Sequence, residues 1–322
     1  MKPARWFAPV LLSCALVPAL LGTLWPGAAQ AAALGQLTRH TFTDYCSTHH
    51  SLDAAAQDRL LRFAAVVRRE LQTSGQPMAI VSRSGTDLRR FGQRFSHAGL
   101  ALREGAELPW AVRQLYYACD EQRPRLFDQG LAGFVLGSDD PSTGHVSIVL
   151  LPEGPEADAL QRAALDKPAA LGLLAPSYRA NAYAFSSRYQ NCNQWLVEMI
   201  ALAWMDDRTA AQGLEARQRA QRWLQEAGYV PQRMLIGSRL LMWAASVVPL
   251  LTLDDHPPED RDQLQMQITM PSAIEAFVRQ RLPAAQRLEI CHAQGRVVIR
   301  RGWEPVAEGC VPNPTDVVEA LD

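Results

Sequence analysis

The sequence lacks the short motifs that mark the commonest cofactor-dependent and metal-dependent enzymes. It has no G-x-G-x-x-G or G-x-x-x-x-G-K-[ST] glycine loop and no H-E-x-x-H or G-x-S-x-G motif. Dinucleotide binding, P-loop phosphate binding, zincin proteolysis and α/β-hydrolase chemistry are therefore not predicted. We predict no cofactor and no metal ligands, and we interpret the acidic residues 253–260 as a solvated loop.

The chain also lacks a strong excess of either charge. Its 32 basic and 33 acidic residues give a formal net charge of -1, which argues against a nucleic-acid partner. With 322 residues, 48% of them hydrophobic, it is long and apolar enough to fold around a core. Residues 240–251 are apolar but too few to span a bilayer. We interpret 234–251 as core, and peripheral membrane contact there is the alternative.

The long apolar run is confined to the N-terminus. Lys2 and Arg5 precede an apolar stretch over residues 10–25, and Ala29-Gln30-Ala31 has the A-x-A form of a cleavage site. This three-part pattern predicts a signal peptide over 1–31 that is removed near Ala31. The alternatives are an uncleaved membrane anchor and lipidation at Cys14.

Cysteines are few, and no C-x-x-C pair exists. Five remain after residue 31, so in an oxidising compartment at least one thiol is left over. Cys291 and Cys310 bracket an apparent hairpin, Cys46 lies in an N-terminal segment that needs tying down, and Cys119 ends a predicted strand. We therefore expect the pairs Cys46–Cys119 and Cys291–Cys310, with Cys192 free. The sequence does not prove the connectivity, so other pairings stay open.

Hydrophobic periodicity predicts helices and strands in an order typical of α+β proteins rather than of a wound α/β sheet. The predicted helices are 53–73, 126–136, 155–165, 192–205, 209–226 and 272–282. The predicted strands are 78–81, 96–102, 110–118 and 145–151, followed by a small β unit over 286–309. Residues 252–262 are the best linker candidate, which divides the chain into domains 32–252 and 253–322, the second packed on the first.

Two residues far apart in the chain have the right surroundings for nucleophilic catalysis. His97 begins a strand, and the small residues Ala98 and Gly99 follow it. Cys192 follows Asn191, a good N-cap, so it should lie in the first turn of a buried helix. Backbone N–H groups and the helix dipole favour a thiolate there, and an imidazolium nearby would favour it further. Alternatively, both residues serve only packing.

Further polar residues are candidates for the remaining roles. Gln114 lies on the strand expected to pair with that of His97, so it is the candidate that orients the imidazole. The Cys192 backbone N–H would face the oxyanion, and Tyr189 or Gln190 could supply a second donor. The alternative for Gln114 is a solvated strand residue, and for Tyr189 and Gln190 simple turn residues.

Two resemblances rest on these residues. Ser96-His97-Ala98-Gly99-Leu100 followed by Asn191-Cys192-Asn193-Gln194-Trp195 resembles the circularly permuted NlpC-type papain-like hydrolases. More closely, stretches such as Arg188-Tyr189-Gln190-Asn191-Cys192 and Phe127-Asp128-Gln129-Gly130-Leu131 are similar to an exported bacterial family of unknown function, DUF2145. The papain-like resemblance implies a small antiparallel sheet packed on helices, with extra C-terminal helices and the β unit added.

The papain-like resemblance also implies roles for the site residues. Cys192 would be the nucleophile, His97 the base and Gln114 the third residue. Here Gln replaces the His, Glu or Asn of related proteins, and Asn193-Gln194 replaces a common Ser-Glu. We expect a periplasmic or secreted thiol hydrolase or acyl/amide transferase acting on a small-molecule, peptide or lipid substrate, such as a cell-wall peptide or a lipid acyl group. The alternative is a non-catalytic exported module that binds a ligand or partner.

Overall fold

A computed structural model describes residues 52–104, 109–137, 140–205, 213–246 and 248–321 of the chain. They belong to one compact unit, Thr48–Asp322. The predicted signal peptide, its cleavage site, Cys14 and Cys46 lie outside the described residues, so those predictions remain predictions.

The unit is built on one antiparallel sheet of eight strands. Its order is β12-β11-β10-β5-β1-β2-β3-β4. The eight strands are β1 (Met78–Arg83), β2 (His97–Leu102), β3 (Ala111–Ala118), β4 (Arg123–Gly130), β5 (Thr143–Leu150), β10 (Gln286–Ala293), β11 (Arg296–Arg301) and β12 (Val317–Ala320). The α+β class is confirmed, but the sheet is large where a small one was expected.

Nine α-helices, a 3-10 helix at Arg89–Phe91 and two short strand pairs accompany the sheet in the described part. The helices are α1 (Ala54–Thr73), α2 (Leu131–Leu136), α3 (Pro155–Leu165), α4 (Lys167–Gly172), α5 (Cys192–Trp204), α6 (Leu214–Glu226), α7 (Arg239–Ala245), α8 (Pro258–Asp262) and α9 (Pro271–Arg281). The two pairs are β6 (Ser177–Tyr178) with β7 (Tyr189–Gln190), and β8 (Gln232–Leu235) with β9 (Gln265–Ile268). No described helix is long and apolar enough to cross a membrane.

Helix α1 covers the centre of one sheet face. Asp53 caps it by accepting a hydrogen bond from the Ala56 N–H at 2.7 Å. Phe63, Val67 and Leu71 recur at helical spacing, are buried, and join the same core cluster as the inward residues of the central strands. Burial of this stripe against the sheet is what holds α1 in place.

Four predictions differ from the structure. The predicted helix 126–136 is split, because β4 pairs with β3 as far as Gly130 before α2 begins. The C-terminal β unit is not separate, since β10 pairs with β5 and continues the main sheet. The proposed linker is packed, with Thr252, His256 and Asp260 buried. The segment 234–251 is only partly core: Met242 is buried, whereas Leu240 and Trp243 are exposed.

The cysteines follow the expected arrangement as far as the described residues reach. Cys291 and Cys310 form a disulfide, and Cys119 is also disulfide-bonded. Cys192 is the free cysteine of the described part. The predicted partner of Cys119, Cys46, lies outside it.

Candidate functional site

The ladder between β2 and β3 ends before it reaches His97. The two strands pair over Leu100–Leu102 and Ala111–Arg113, and the residues of β2 before Leu100 have no ladder partner on β3. The strands nevertheless stay close there, because Gly99 has no side chain: a Cβ at this position would lie 2.7 Å from Val112 Cγ1 and 2.8 Å from the Arg113 carbonyl oxygen. Side chains of the two strands therefore contact each other beyond the end of the ladder.

His97 and Gln114 contact each other beyond the end of this ladder, as the sequence predicted. His97 Nε2 lies 2.6 Å from Gln114 Oε1, and Gln114 Nε2 donates to Gln129 Oε1 at 2.7 Å. The hydrogen bond to Gln129 orients the Gln114 amide so that its oxygen faces the imidazole. An amide oxygen only accepts, so Nε2 carries the proton and the lone pair is on Nδ1, the nitrogen that can act as a base.

The His97 ring is packed among aromatic groups. It stacks on Tyr116 with ring centroids 4.7 Å apart, and Phe134 of α2 lies 6.0 Å away. Burial, followed by the positive charge of Arg83, lowers the pKa of His97 to about 3, against a smaller opposing effect of the Gln114 hydrogen bond. The imidazole is therefore neutral at physiological pH.

Cys192 begins α5, as predicted. Asn191 caps the helix by accepting a hydrogen bond from the Gln194 N–H at 2.7 Å. Burial raises the pKa of the Cys192 thiol to about 11, outweighing the Asn193 N–H, the charge of Arg83 and the Tyr178 hydroxyl, which lower it. The expectation of a lowered thiol pKa is wrong for this structure, because burial destabilises the thiolate more than the N–H groups at the helix end stabilise it.

The start of α5 is fastened to the start of β2. Asn193 Nδ2 donates to the Ser96 carbonyl oxygen at 3.1 Å and to the Thr269 carbonyl oxygen at 3.3 Å. A hydrogen bond thus joins the residue after Cys192 to the residue before His97. No hydrogen bond joins the thiol to the imidazole within the part of the chain that the structure describes.

Arg83 is a site residue that the sequence analysis missed. It lies opposite His97 in the register of β1 and β2 and is 5% exposed. Its guanidinium donates to the Tyr116 hydroxyl at 2.7 Å, to the Ser84 carbonyl at 3.1 Å and to the Gly137 carbonyl. It forms no ion pair with a carboxylate among the described residues, so its charge acts on both His97 and Cys192. The sequence signal was weak: an arginine ending an apolar strand.

Tyr178 is the second residue missed, whereas the side chains of Tyr189 and Gln190, the expected second donors, are engaged elsewhere. Tyr178 lies on β6, is buried, and directs its hydroxyl to the Cys192 sulfur. The amide nitrogen of Gln190 instead donates to the Leu173 carbonyl at 2.9 Å and to Glu198 at 2.7 Å. The Tyr189 hydroxyl donates to Asp254 at 3.2 Å.

A buried ion pair holds the segment that leads into Cys192. Arg217 of α6 binds both carboxylate oxygens of Glu198 on α5, at 2.9 and 3.0 Å. The same guanidinium donates to the carbonyls of Ser186, Ser187 and Tyr189. Because α5, α6 and the preceding segment share these bonds, the position of Cys192 depends on them.

No group of three or more potential metal-ligating side chains occurs among the described residues. In the acidic 253–260 stretch, Asp260 is buried rather than solvated and accepts hydrogen bonds from Gln265 and Gln267. Its carboxylate is therefore engaged in packing the loop.

Comparison with known proteins places the chain in a family without assigning an activity. Residues 70–278, more than half of the chain and including His97, Gln114 and Cys192, match the model of DUF2145, described as an uncharacterized protein conserved in bacteria. No curated protein and no solved structure matches. The chain belongs to the DUF2145 family of conserved bacterial proteins.

Proposed function

We propose that this protein is an exported thiol hydrolase or acyl/amide transferase in which Cys192 attacks the carbonyl carbon of an amide or ester. The observation that carries the proposal is the 2.6 Å contact of His97 Nε2 with Gln114. It leaves Nδ1 as the basic nitrogen, and the residue before His97 is hydrogen-bonded to the helix that begins at the free cysteine.

In the proposed reaction His97 Nδ1 removes the proton from the Cys192 thiol as sulfur bonds to the carbonyl carbon. The carbonyl oxygen takes the electron pair of its π bond, and the Tyr178 hydroxyl and first-turn N–H groups of α5 stabilise the resulting oxyanion. The C–N or C–O bond then breaks, and His97 returns the proton to the leaving group. Water, or an acceptor amine or alcohol, resolves the thioester.

Arg83 supplies the positive charge that the neutral imidazole does not. Because the pKa of Cys192 is raised to about 11 and that of His97 lowered to about 3, the pair rests as thiol and imidazole. Thiolate and imidazolium then form only during attack. The guanidinium stabilises the thiolate and disfavours the imidazolium. The imidazolium is therefore a stronger acid toward the departing amine or alcohol, and sulfur is a better leaving group when the thioester is resolved.

Acylation by p-nitrophenyl acetate tests the proposal. We expect one acetyl group on Cys192, detected by mass spectrometry, with release of p-nitrophenolate. His97→Ala should slow acetylation by about 10²-fold or more, the usual contribution of a positioned base. His145→Gln is the matched control and should react at the wild-type rate. Acetylation at equal rates in His97→Ala and the wild type would contradict a His97-assisted attack.

The role of Arg83 is tested by measuring how the acetylation rate depends on pH in variants at this position. Arg83→Met should move the rising limb of the acetylation rate to higher pH, because the charge of Arg83 lowers the pKa of both His97 and Cys192 and its loss raises both. Arg83→Lys keeps that charge and should restore the profile in part, which loss of packing alone would not do. Identical profiles in Met and Lys variants would remove Arg83 from the proposed mechanism.

The second candidate function is a non-catalytic module that binds a ligand or partner, and the raised thiol pKa favours it. A buried thiol with a pKa of about 11 is mostly unreactive toward solutes at neutral pH. In that case Cys192→Ser should leave ligand binding unchanged, and no ester, amide or peptide library should be turned over.

Export is part of the proposal. The Cys291–Cys310 disulfide and the bonded Cys119 are typical of an oxidising compartment such as the periplasm, and the N-terminal sequence pattern supports the same location.

A further inference from the structure

An open cavity of about 780 Å³ lies beside α9. Six of the residues that line it are Arg94, Phe95, Glu275, Arg279, Arg287 and Trp303. The volume falls within the range of small-molecule sites. Cys192, His97 and Gln114 do not line this cavity, which we call the α9 cavity, so it is a separate place in the molecule.

Much of the charge in its wall is already paired. Glu289 accepts hydrogen bonds from Arg94 at 2.6 Å and from Arg287 at 3.0 Å, and His145 lies 3.2 Å away. Burial alone would raise the pKa of Glu289, but the His145 hydrogen bond and the two arginine charges lower it to about 2. Glu289 is therefore an ionised anchor for the wall and is not available to a ligand.

One donor and one acceptor in the wall have no partner among the described residues. Arg287 Nε binds Glu275 Oε2 at 2.8 Å, but Arg287 Nη1 and Glu275 Oε1 have no hydrogen-bond partner in that part of the chain. Both side chains are at least nine-tenths buried. Buried polar atoms are normally hydrogen-bonded, so an unpaired donor and an unpaired acceptor in the wall of one cavity call for a ligand that carries both functions.

Arg279 adds a free positive charge at the same cavity. It is exposed, lies with its guanidinium 5.0 Å from the centre of the Trp303 ring, and forms no ion pair with a described carboxylate. A simple anion would satisfy Arg279 and Arg287 but would leave Glu275 Oε1 unpaired. A neutral amide would satisfy Glu275 and Arg287 but would leave Arg279 without a counter-charge.

We propose that the α9 cavity binds the C-terminal residue of a peptide. Its carboxylate accepts hydrogen bonds from Arg279 and from Arg287 Nη1, which are strong because both partners are charged. Its last amide N–H donates to Glu275 Oε1, and its side chain lies against Trp303 and Phe95. The two unpaired atoms are covered by their neighbours, so a ligand reaches them only after a side chain of the wall moves.

The test uses N-acetyl-alanyl-alanine and its C-terminal amide as probes in isothermal titration calorimetry of the purified protein. We expect saturable binding of the acid, with the amide at least ten-fold weaker. Equal affinity for the two probes would overturn the carboxylate contact. Absence of binding by both at millimolar concentration would overturn the site, as would sodium acetate binding as tightly as the dipeptide.

Variants on one helix locate the site. Arg279→Gln should weaken binding of the acid at least ten-fold, and Glu275→Gln should also weaken it because the amide N–H loses a charged acceptor. Arg281→Gln is the matched control, since Arg281 lies two residues further along α9, is not among the lining residues and contacts Trp223 instead. Equal losses in Arg279→Gln and Arg281→Gln would overturn the assignment.

Peptide binding in the α9 cavity does not depend on the Cys192 thiol. Cys192→Ser and His97→Ala should bind N-acetyl-alanyl-alanine with wild-type affinity, whether or not they are acetylated by p-nitrophenyl acetate. Loss of peptide binding in Cys192→Ser would overturn the separate α9 cavity and place the peptide at the cysteine.

Discussion

The pKa values of His97 and Cys192 depend on the balance between burial and nearby charges and hydrogen bonds. Helix-end N–H groups and Arg83 lower the pKa of the thiol, yet burial outweighs them and the value rises to about 11. For His97, burial and Arg83 act together and the pKa falls to about 3. The same loss of water thus keeps both groups neutral, which is why the reaction we propose starts from a thiol and an imidazole.

The lowered pKa of His97 predicts a pH dependence of stability. The unfolded chain takes up a proton on this residue below its ordinary pKa of 6.5, whereas the folded chain does not until about pH 3. The contribution of neutral His97 to the free energy of unfolding is therefore fully present above pH 6.5. It is lost as pH falls toward 3, at about 1.4 kcal/mol per pH unit.

His97→Gln should remove this part of the slope when urea unfolding is measured between pH 6.5 and pH 4. The wild type and His292→Gln serve as comparisons. Burial is the main cause that lowers the pKa of His292, to about 4, so His292 also contributes to the dependence of unfolding free energy on pH. That contribution should be absent in His292→Gln and present in His97→Gln. An unchanged slope in His97→Gln would mean that the imidazole is hydrated or already charged in the folded protein.

At the scale of the elements, α5 and α6 are joined by charge as well as by apolar packing. Glu198 and Arg217 are 0% and 1% exposed in their side chains, and Gln190 and Gln221 donate to the remaining positions of the carboxylate. Such a network stabilises the fold only when every member is present, since removal of one partner leaves a buried charge alone.

Glu198→Gln should therefore lower the free energy of unfolding by about 3–5 kcal/mol, the usual cost of breaking a buried ion pair. Glu215→Gln, on the exposed face of α6, should change it by less than about 0.5 kcal/mol. Urea unfolding followed by circular dichroism measures both. Equal effects of the two substitutions would show that the Glu198–Arg217 pair is not the main link between these helices.

At the scale of the whole molecule, the C-terminal segment completes the fold rather than standing beside it. Strands β10, β11 and β12 extend the central sheet, and the Cys291–Cys310 disulfide fixes the loop that carries Trp303 and Glu308. This loop contributes to the wall of the α9 cavity. The sheet, the disulfide and the cavity therefore depend on one another.

The double variant Cys291→Ser with Cys310→Ser should lower the free energy of unfolding by about 3 kcal/mol, because the disulfide closes a loop of 19 residues. Urea unfolding without reductant isolates this bond, since the bond at Cys119 stays intact. Thiol labelling of the unfolded protein is the control for complete oxidation of the wild type. A stability equal to that of the wild type would show that the sheet alone fixes the loop.

Residues 155–165 and 192–204 show what can be predicted at the level of elements. Pro155 at the first turn and the Asn191 cap mark the starts of α3 and α5, and these signals are local. By contrast, β4 contains Pro124 and polar residues, and the sequence of its second half predicts a helix. β4 is an edge strand, where proline is tolerated, and its pairing with β3 decides its conformation.

The α+β class, the cap before Cys192, the free cysteine and the contact of His97 with Gln114 could be predicted from the residues, because each depends on local signals or on neighbouring strands. The folded chain was needed to find that burial keeps the thiol and imidazole neutral, that Arg83 and Tyr178 join them, and that the C-terminal strands enlarge the central sheet. Desolvation, charge–charge distance and strand order arise from contacts between segments far apart in the chain, and no local pattern encodes them.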